Sequence, residues 1–260
     1  MTRMLMTSAT LVATLTLCTA SGLAAKTPGT APTDGEVQIA AATATIVLPP
    51  YEPKIDPSRF SANITNRYFP LKPGTVFKFE GSKGGVPQET EMTVTSETRI
   101  IMGVPCIVVR DVVTSKTQLV EKTTDWYSQD SDGNVWYFGE ETAEYKDGKV
   151  SSTSGTWMAG VNGALPGFIM KAAPELGEGY RQEFLPGVAE DYARVISNVA
   201  TARPPIGDYE NVLVTEDSDL LDRSKFEAKY FAKDVGFIGS QGMVNGHFYV
   251  TSLKSMLKAN

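Results

Sequence analysis

The stretch VEKTTDWYSQDSDGNVWYFGEETAEYKDGKVSSTSGTWMA, Val120 to Ala159, decides the fold. It carries two Asp-Gly pairs, Asp132-Gly133 and Asp147-Gly148, each flanked by Thr, Val, Tyr and Trp. Asp-Gly between such runs is the strongest short-range hairpin signal, because the type I′ turn needs two successive residues at positive φ. The stretch reads as three antiparallel strands. With two-residue loops, Ser131 pairs with Asn134 and Lys146 with Lys149, and these anchors set the register throughout. Asp125 then faces Glu140, with Gly155 beyond it on the third strand. Tyr127, Phe138 and Trp157 form the next row of that face, and Gln129, Trp136 and Ala159 the row after. A three-residue turn would shift this pairing and dissolve the constellation, whereas a four-residue loop would preserve it.

Like charges directly opposite in a sheet repel at a Cβ separation of about 4.5–5.5 Å, so something must compensate the Asp125–Glu140 pair. The pair faces water, or a cation lies between the carboxylates, or one of them holds a proton. A fully solvated face is hard to reconcile with Tyr127, Trp136, Phe138 and Trp157 beside it, since four large rings make an unusual exposed patch. A half-buried aromatic cleft with an acidic pair is the better expectation.

Outward from this stretch, residues 1–24 read as a secretory signal peptide, with Arg3, an apolar run from Leu5 to Leu17 and small residues at Gly22 and Ala24. Residues 25–54 are an Ala/Thr/Pro-rich linker or arm whose part from Val37 to Leu48 is apolar enough for an edge strand. Residues 55–260 form a single β domain. Strand patterns recur at Thr75–Glu80, Thr90–Thr98, Ile107–Thr114, Gln118–Ser128, Val135–Tyr145, Val150–Trp157, Tyr180–Phe184, Tyr192–Ser197, Val212–Glu216, Phe226–Phe231, Gly236–Gly239 and His247–Ser252. No long segment of helical period intervenes. The expected class is all-β: an antiparallel meander forming a barrel or strongly curved half-barrel, with few short helices.

Three phrases, YFPLKPGTVFKFEG at Tyr68–Gly81, DWYSQDSDGNVWYFGE at Asp125–Glu140 and KYFAKDVGFIGSQ at Lys229–Gln241, resemble those of secreted bacterial β-rich proteins of largely unassigned function. Some of these are similar to the curved-sheet folds of lipoprotein carriers. The resemblance implies a fold and an address, and brings no catalytic residues to numbered positions.

A second hairpin pattern lies in GYRQEFLPGVAEDYARV, Gly179–Val195. A tight turn at Pro186-Gly187 opposes Glu183 to Glu190 and Arg181 to Tyr192, with Arg194 further along. This is either a surface ladder of ion pairs or a source of an arginine for the Asp125–Glu140 pair or for an anionic ligand group. The glycine-rich stretch between the hairpins, Gly160–Gly179 with Phe168, Ile169 and Met170 at its centre, reads as a plug or a lid.

Charge and residue usage exclude much. The net charge of −6 with no basic stripe argues against nucleic acid as a partner. Of the two cysteines, Cys18 belongs to the signal, and Cys106 sits on an apolar strand pattern as a small buried hydrophobe. His247 is the only histidine, no G-x-S-x-G elbow accompanies it, and no dinucleotide or Walker pattern appears. Asp130, Asp132 and Asn134 form a weak calcium pattern, since Val135 stands where the loop glycine belongs. No cofactor is expected, and no apolar run after the signal is long enough to span a bilayer as a helix.

Three functions fit. The first is a secreted or periplasmic barrel that binds a small apolar, lipid or sugar-like molecule on Tyr127, Gln129, Trp136, Phe138, Trp157 and Arg181, oriented by Asp125 and Glu140. The second is a carboxylate-dependent glycan hydrolase or lyase, with Asp125 and Glu140 catalytic and Glu183 and Glu190 secondary. It requires a carboxylate across the cleft from Glu140, because two groups projecting in parallel from one sheet cannot flank a glycosidic bond. The third is a structural protein of the envelope. The oligomeric state is left open.

Overall fold

The computed structural model describes residues 50–222, 224–244 and 246–258. The signal segment 1–24, the arm up to residue 49 and the edge strand considered within it lie outside the described residues. The rest is nearly all strand. In chain order these are β1 (Phe60–Ser61), β2 (Val76–Lys83), β3 (Val86–Ile101), β4 (Val104–Ser115), β5 (Gln118–Asp130), β6 (Val135–Lys146), β7 (Lys149–Ser152), β8 (Trp157–Met158) and β9 (Leu165–Met170). There follow β10 (Gly179–Arg181), β11 (Glu183–Phe184), β12 (Asp191–Ala202), β13 (Tyr209–Asp219), β14 (Phe226–Ala232), β15 (Gly236–Val244) and β16 (His247–Leu257).

The antiparallel path runs β10-β12-β13-β14-β15-β16-β2-β3-β4-β5-β6-β9-β11. Its two ends are one piece of chain: Gly179–Arg181 pairs with β12, and Glu183–Phe184 pairs with Pro166 and Leu165 of β9. This segment brings the sheet to a nearly closed barrel, so the meandering all-β expectation holds. The predicted Val150–Trp157 strand is broken into β7 and β8. The expected plug or lid at Gly160–Gly179 is instead wall, because Leu165–Met170 pairs with β6 as β9.

Asp147-Gly148 makes the expected two-residue turn, at φ 52° and 74°, with Lys146 opposite Lys149. Asp132-Gly133 does not. There Gln129 pairs with Val135, leaving a five-residue loop organised by Asp130, whose Oδ1 accepts the backbone N–H groups of Asp132 and Asn134. That slips the register by one residue, and a bulge between Trp126 and Tyr127 in the pairing with β6 restores it, so Asp125 still faces Glu140. Gly139 permits the bulge: it has φ 135°, and a Cβ there would lie 2.5 Å from the Trp157 carbonyl oxygen. Across the second hairpin a bulge between Glu144 and Tyr145 and the break between β7 and β8 each shift the register by one residue, so Trp157, rather than Gly155, lies opposite Glu140.

One barrel end is filled by the chain just before β2. Asn66 donates to the Gly133 and Lys171 carbonyls, and Gln129 accepts from the Thr65 and Asn66 backbones. Ile64, Phe69 and Leu71 are thereby driven into the core, with Phe69 5.3 Å from Tyr127 and 6.5 Å from Phe231 between ring centroids. Burying a ring of that size contributes about 2–3 kcal/mol. The outward faces of the strands carry ion pairs instead, among them Lys78–Glu91, Arg110–Glu97 and Lys254–Glu80.

Candidate functional site

Alternation puts residues i, i+2 and i+4 of a strand on one face. On β5 the inward set is Glu121, Thr123, Asp125 and Tyr127; on β4 it includes Asp111 and Val113; on β6, after the bulge, Tyr137 and Glu140. With Phe79, Ile169, Gln182, Glu183, Asp191, Lys229 and Tyr249 they line a cavity of about 90 Å³ inside the barrel. Six carboxylates face it, and Lys229 is the one base among its lining residues.

The floor is aromatic. Tyr127 and Tyr137 stack with centroids 4.8 Å apart, and Trp157 meets Tyr137 edge-on at 5.4 Å. The Tyr137 hydroxyl donates to Asp125 Oδ1 at 2.5 Å. Burial, with the Asp125 charge next, pushes both tyrosines far above their ordinary value, so they serve as donors. Above them, Asp125 and Asp111 share a hydrogen bond. Burial raises Asp125 to about 6, opposed by bonds from Tyr137, Asp111 and Tyr127. Asp111 is raised further, by burial and then by the Asp125 charge. Burial thus pushes both members of the pair toward the protonated form.

On the facing wall, Lys229 Nζ lies 2.6 Å from Asp217 Oδ2 and 3.9 Å from Glu227 Oε2, all three side chains being essentially inaccessible. Burial works against the ammonium, yet the Asp217 and Glu227 charges outweigh it and hold Lys229 above its usual value. Glu227 is raised to about 7, by burial that the Lys229 charge and a Ser240 bond only partly offset. The one base facing the cavity is thus already committed to two carboxylates.

The expected site residues divide. Asp125, Tyr127, Glu140 and Glu183 line the cavity, and Trp157 stands behind Tyr137. Phe138 points the other way, packed on Phe60 at 5.7 Å, because the bulge puts Tyr137 opposite Tyr127 in its place. Trp136, on that same side, packs against Phe168 and donates Nε1–H to Asp130. Gln129 is spent on the Thr65 and Asn66 backbones. Arg181 faces Tyr192 as expected, and its guanidinium lies 3.6 Å from Glu190. Glu183 does not oppose Glu190, because the chain leaves β12 at Gln182 to join β9. Arg194 pairs with Glu216 on the surface. The calcium pattern is consumed by the turn: Asp130 accepts four hydrogen bonds, from the backbones of Asp132 and Asn134, the Asn134 amide and Trp136, and Asp132 pairs with Arg59. Among the described residues no cluster of three or more metal-ligating side chains stands ready for a metal.

Asp111, Glu121, Thr123, Asp191 and the Lys229 group were missed. The signal was present, since Glu121, Thr123 and Asp125 alternate on one strand and Glu227 and Lys229 on another. Only the Asp125–Glu140 pair of this face is singled out by the hairpin register.

A second, open depression of about 720 Å³ lies on the outside of β5 and β6. It is bordered by Arg99 stacked 4.3 Å over Trp126, Tyr145, Met158, Leu185, and by Trp157 and Glu140.

No family model matches the sequence, and no curated relative does. Two crystal structures are similar in chain path. A candidate exported protein with a YmcC-like fold from Bacteroides fragilis has a TM-score of 0.44 at 10% identity, over 74% of this chain and 100% of its own. A candidate lipoprotein from Parabacteroides distasonis has 0.42 at 10% identity, over 74% and 99%. Neither likeness bears on a ligand, a reaction or a site residue.

Proposed function

We propose that this is an exported binding protein whose barrel interior takes a small polar cation, a primary amine or guanidinium. The observation that carries the reading is the cavity's charge: six carboxylates against one lysine that Asp217 and Glu227 already neutralise. Lys83 acts on Glu121 from beside the cavity, and buried carboxylates gathered this closely favour any further proton or cation that enters. Burial raises Asp111, Asp125 and Glu227 and so favours protons on them. An ammonium group does the same work at higher pH, with the stacked tyrosines below it as a cation–π floor.

Size narrows the ligand. A volume of 90 Å³ accommodates roughly seven water-sized groups. That is fewer than the roughly dozen heavy atoms of a hexose by the same measure. A sugar-like ligand therefore fits less well than a short amine. Export rests on the signal-like residues 1–24. Among the described residues no helix is long and apolar enough to cross a membrane. The ion pairs across the outward faces of the strands also stand where a lipid-facing barrel would need an apolar band.

The hydrolase reading gains one point, since Glu183 faces the same cavity as Glu140. Only β9 separates their strands, so the two are neighbours around the wall rather than opposed across a bond.

The test is calorimetric titration with short aliphatic amines and diamines and their isosteric alcohols, after native mass spectrometry of protein from its own host before and after denaturing extraction. Binding of an amine but not of the matched alcohol supports the reading. Equal binding, or a co-purified neutral lipid, overturns it.

A further inference from the structure

The barrel wall has a seam beside the site. At its plugged end β6 pairs with β9, through Val135–Tyr137, but from Gly139 onward its partners are β8 and then β7. Those two short strands pair with β6 alone and lie off the closed path. Beyond β8 the next wall is the turn after β11, and Leu185 of that turn borders the outer depression together with Trp157 and Met158. Glu140 lines both the interior cavity and the depression. The Trp157 ring stands at the same place, edge-on against the cavity residue Tyr137 while lining the groove outside. Its indole Nε1–H is buried, in a side chain only 3% exposed, without a hydrogen-bond partner among the described residues. Packing alone holds the ring, and Gly155, two residues upstream, has φ 108°.

We propose that the cavity is entered sideways through this seam, with Trp157 as its gate and Glu140 as the carboxylate that an incoming cation meets first. The proposal rests on the cation-binding reading for what passes, and on the seam for where it passes. An orphaned indole N–H makes the swing cheap, because rotating the ring outward breaks no hydrogen bond and lets that donor reach water. The hairpin end offers a different route, past Thr90 and Tyr249.

The two routes separate by thiol labelling. Cys106 is fully buried and its thiol is pushed up to about 12, so it gives no background, and Cys18→Ser removes the other cysteine. Thr123→Cys then reports the cavity next to the seam, and Thr90→Cys the hairpin end. The reagents are aminoethyl methanethiosulfonate, a cation, and its anionic sulfonatoethyl counterpart. Trp157→Ala is expected to speed cationic labelling at position 123 by about tenfold or more and at position 90 by less than about twofold, as a local rather than global opening would. Trp157→Phe, which refills the space, should restore the wild-type rate, and Met158→Trp, which adds bulk at the seam, should slow labelling at 123. An unchanged rate at 123 in Trp157→Ala, or equal acceleration at both positions, overturns the gate. Equal rates for the two reagents at 123 overturn the cation reading and leave the gate standing.

Discussion

Replacing Asp125 by Asn tests the charge balance of the interior directly. Asp125 is raised to about 6 in the folded protein, against about 3.9 in an unfolded chain. A carboxyl raised on folding favours the folded state fully below its unfolded value and loses that contribution as the pH climbs through the folded one. Between pH 4 and pH 8 the loss is about 2 kcal/mol, from a shift of about two units at 1.36 kcal/mol each less the part already lost at pH 4. Asn keeps an oxygen for the Tyr137 hydroxyl, now 2.5 Å from Asp125 Oδ1, and an acceptor for Asp111. It cannot ionise. The stability of Asp125→Asn relative to wild type should therefore rise by about 2 kcal/mol from pH 4 to pH 8 in urea denaturation, once each curve is fitted with a common slope. A difference that stays constant across that range, or one that falls, would refute the reasoning, because it would mean that Asp125 carries its charge in the folded state at little cost.

Further expectations follow from the same geometry. Affinity for a short amine should fall as the pH drops below about 6, where Asp125 takes up its proton, and binding near that pH should release protons, visible as buffer-dependent heats in calorimetry; tighter binding in acid would contradict it. Asp130→Ala removes the acceptor of four hydrogen bonds at 2.8–3.0 Å, including that of the Trp136 indole, and should cost about 2–4 kcal/mol in a denaturant melt, with a loss below about 1 counting against its role in the turn. Gly139→Ala puts a methyl 2.5 Å from the Trp157 carbonyl at φ 135° and should cost at least about 3 kcal/mol, whereas a neutral result would show that the bulge can move. Native Cys106 should react with a thiol reagent only as fast as the barrel unfolds, and a fast native reaction would disagree with its burial.

What the sequence made legible was local. Asp147-Gly148 fixed its hairpin because nothing but turn chemistry acts there. Asp132-Gly133 failed because Asp130, two residues earlier, outbid the two-residue turn with a carboxylate that gathers backbone N–H groups and an indole. The Asp125–Glu140 pairing survived through an error and its cancellation, a longer loop followed by a bulge at Gly139, and the same cancellation exchanged Phe138 for Tyr137 in the cavity. A glycine inside a strand pattern was the available warning. β9 was hidden because its strand is bordered by glycines and contains Pro166, so composition read as loop. Closure was beyond any local pattern, since β16 must pair with β2 more than a hundred residues away before the sheet can curve round to the Gly179–Phe184 segment. The extent of the polar interior was out of reach for a different reason: the rule that charged residues face water is sound for a sheet with one wet side, and it inverts when the sheet wraps around its own polar face.

That inversion is also what separates a binding interior from a structural one. A barrel that needed only to fold would fill its whole interior as it fills the plugged end, with Phe69, Leu71, Phe231 and Leu253. Here Asp111, Glu121, Asp125, Glu140, Glu183 and Asp191 stand among Phe79, Val113 and Ile169 around open volume. Each of these positions lines the cavity, and buried ion pairs replaced by well-packed apolar side chains often leave a protein equally stable or more so. The acids therefore cost stability that apolar residues would not, and the raised Asp111, Asp125 and Glu227 measure where that cost falls. A cost confined to one cavity, next to a seam in the wall, is the signature expected of residues kept for a ligand: binding a cation returns part of it as affinity. Converting Asp111, Asp125 and Glu140 together to Asn, Asn and Gln should then stabilise the apo barrel at neutral pH and abolish amine binding in the same protein, and a triple variant that loses stability at pH 8 would place those acids among the structural residues instead.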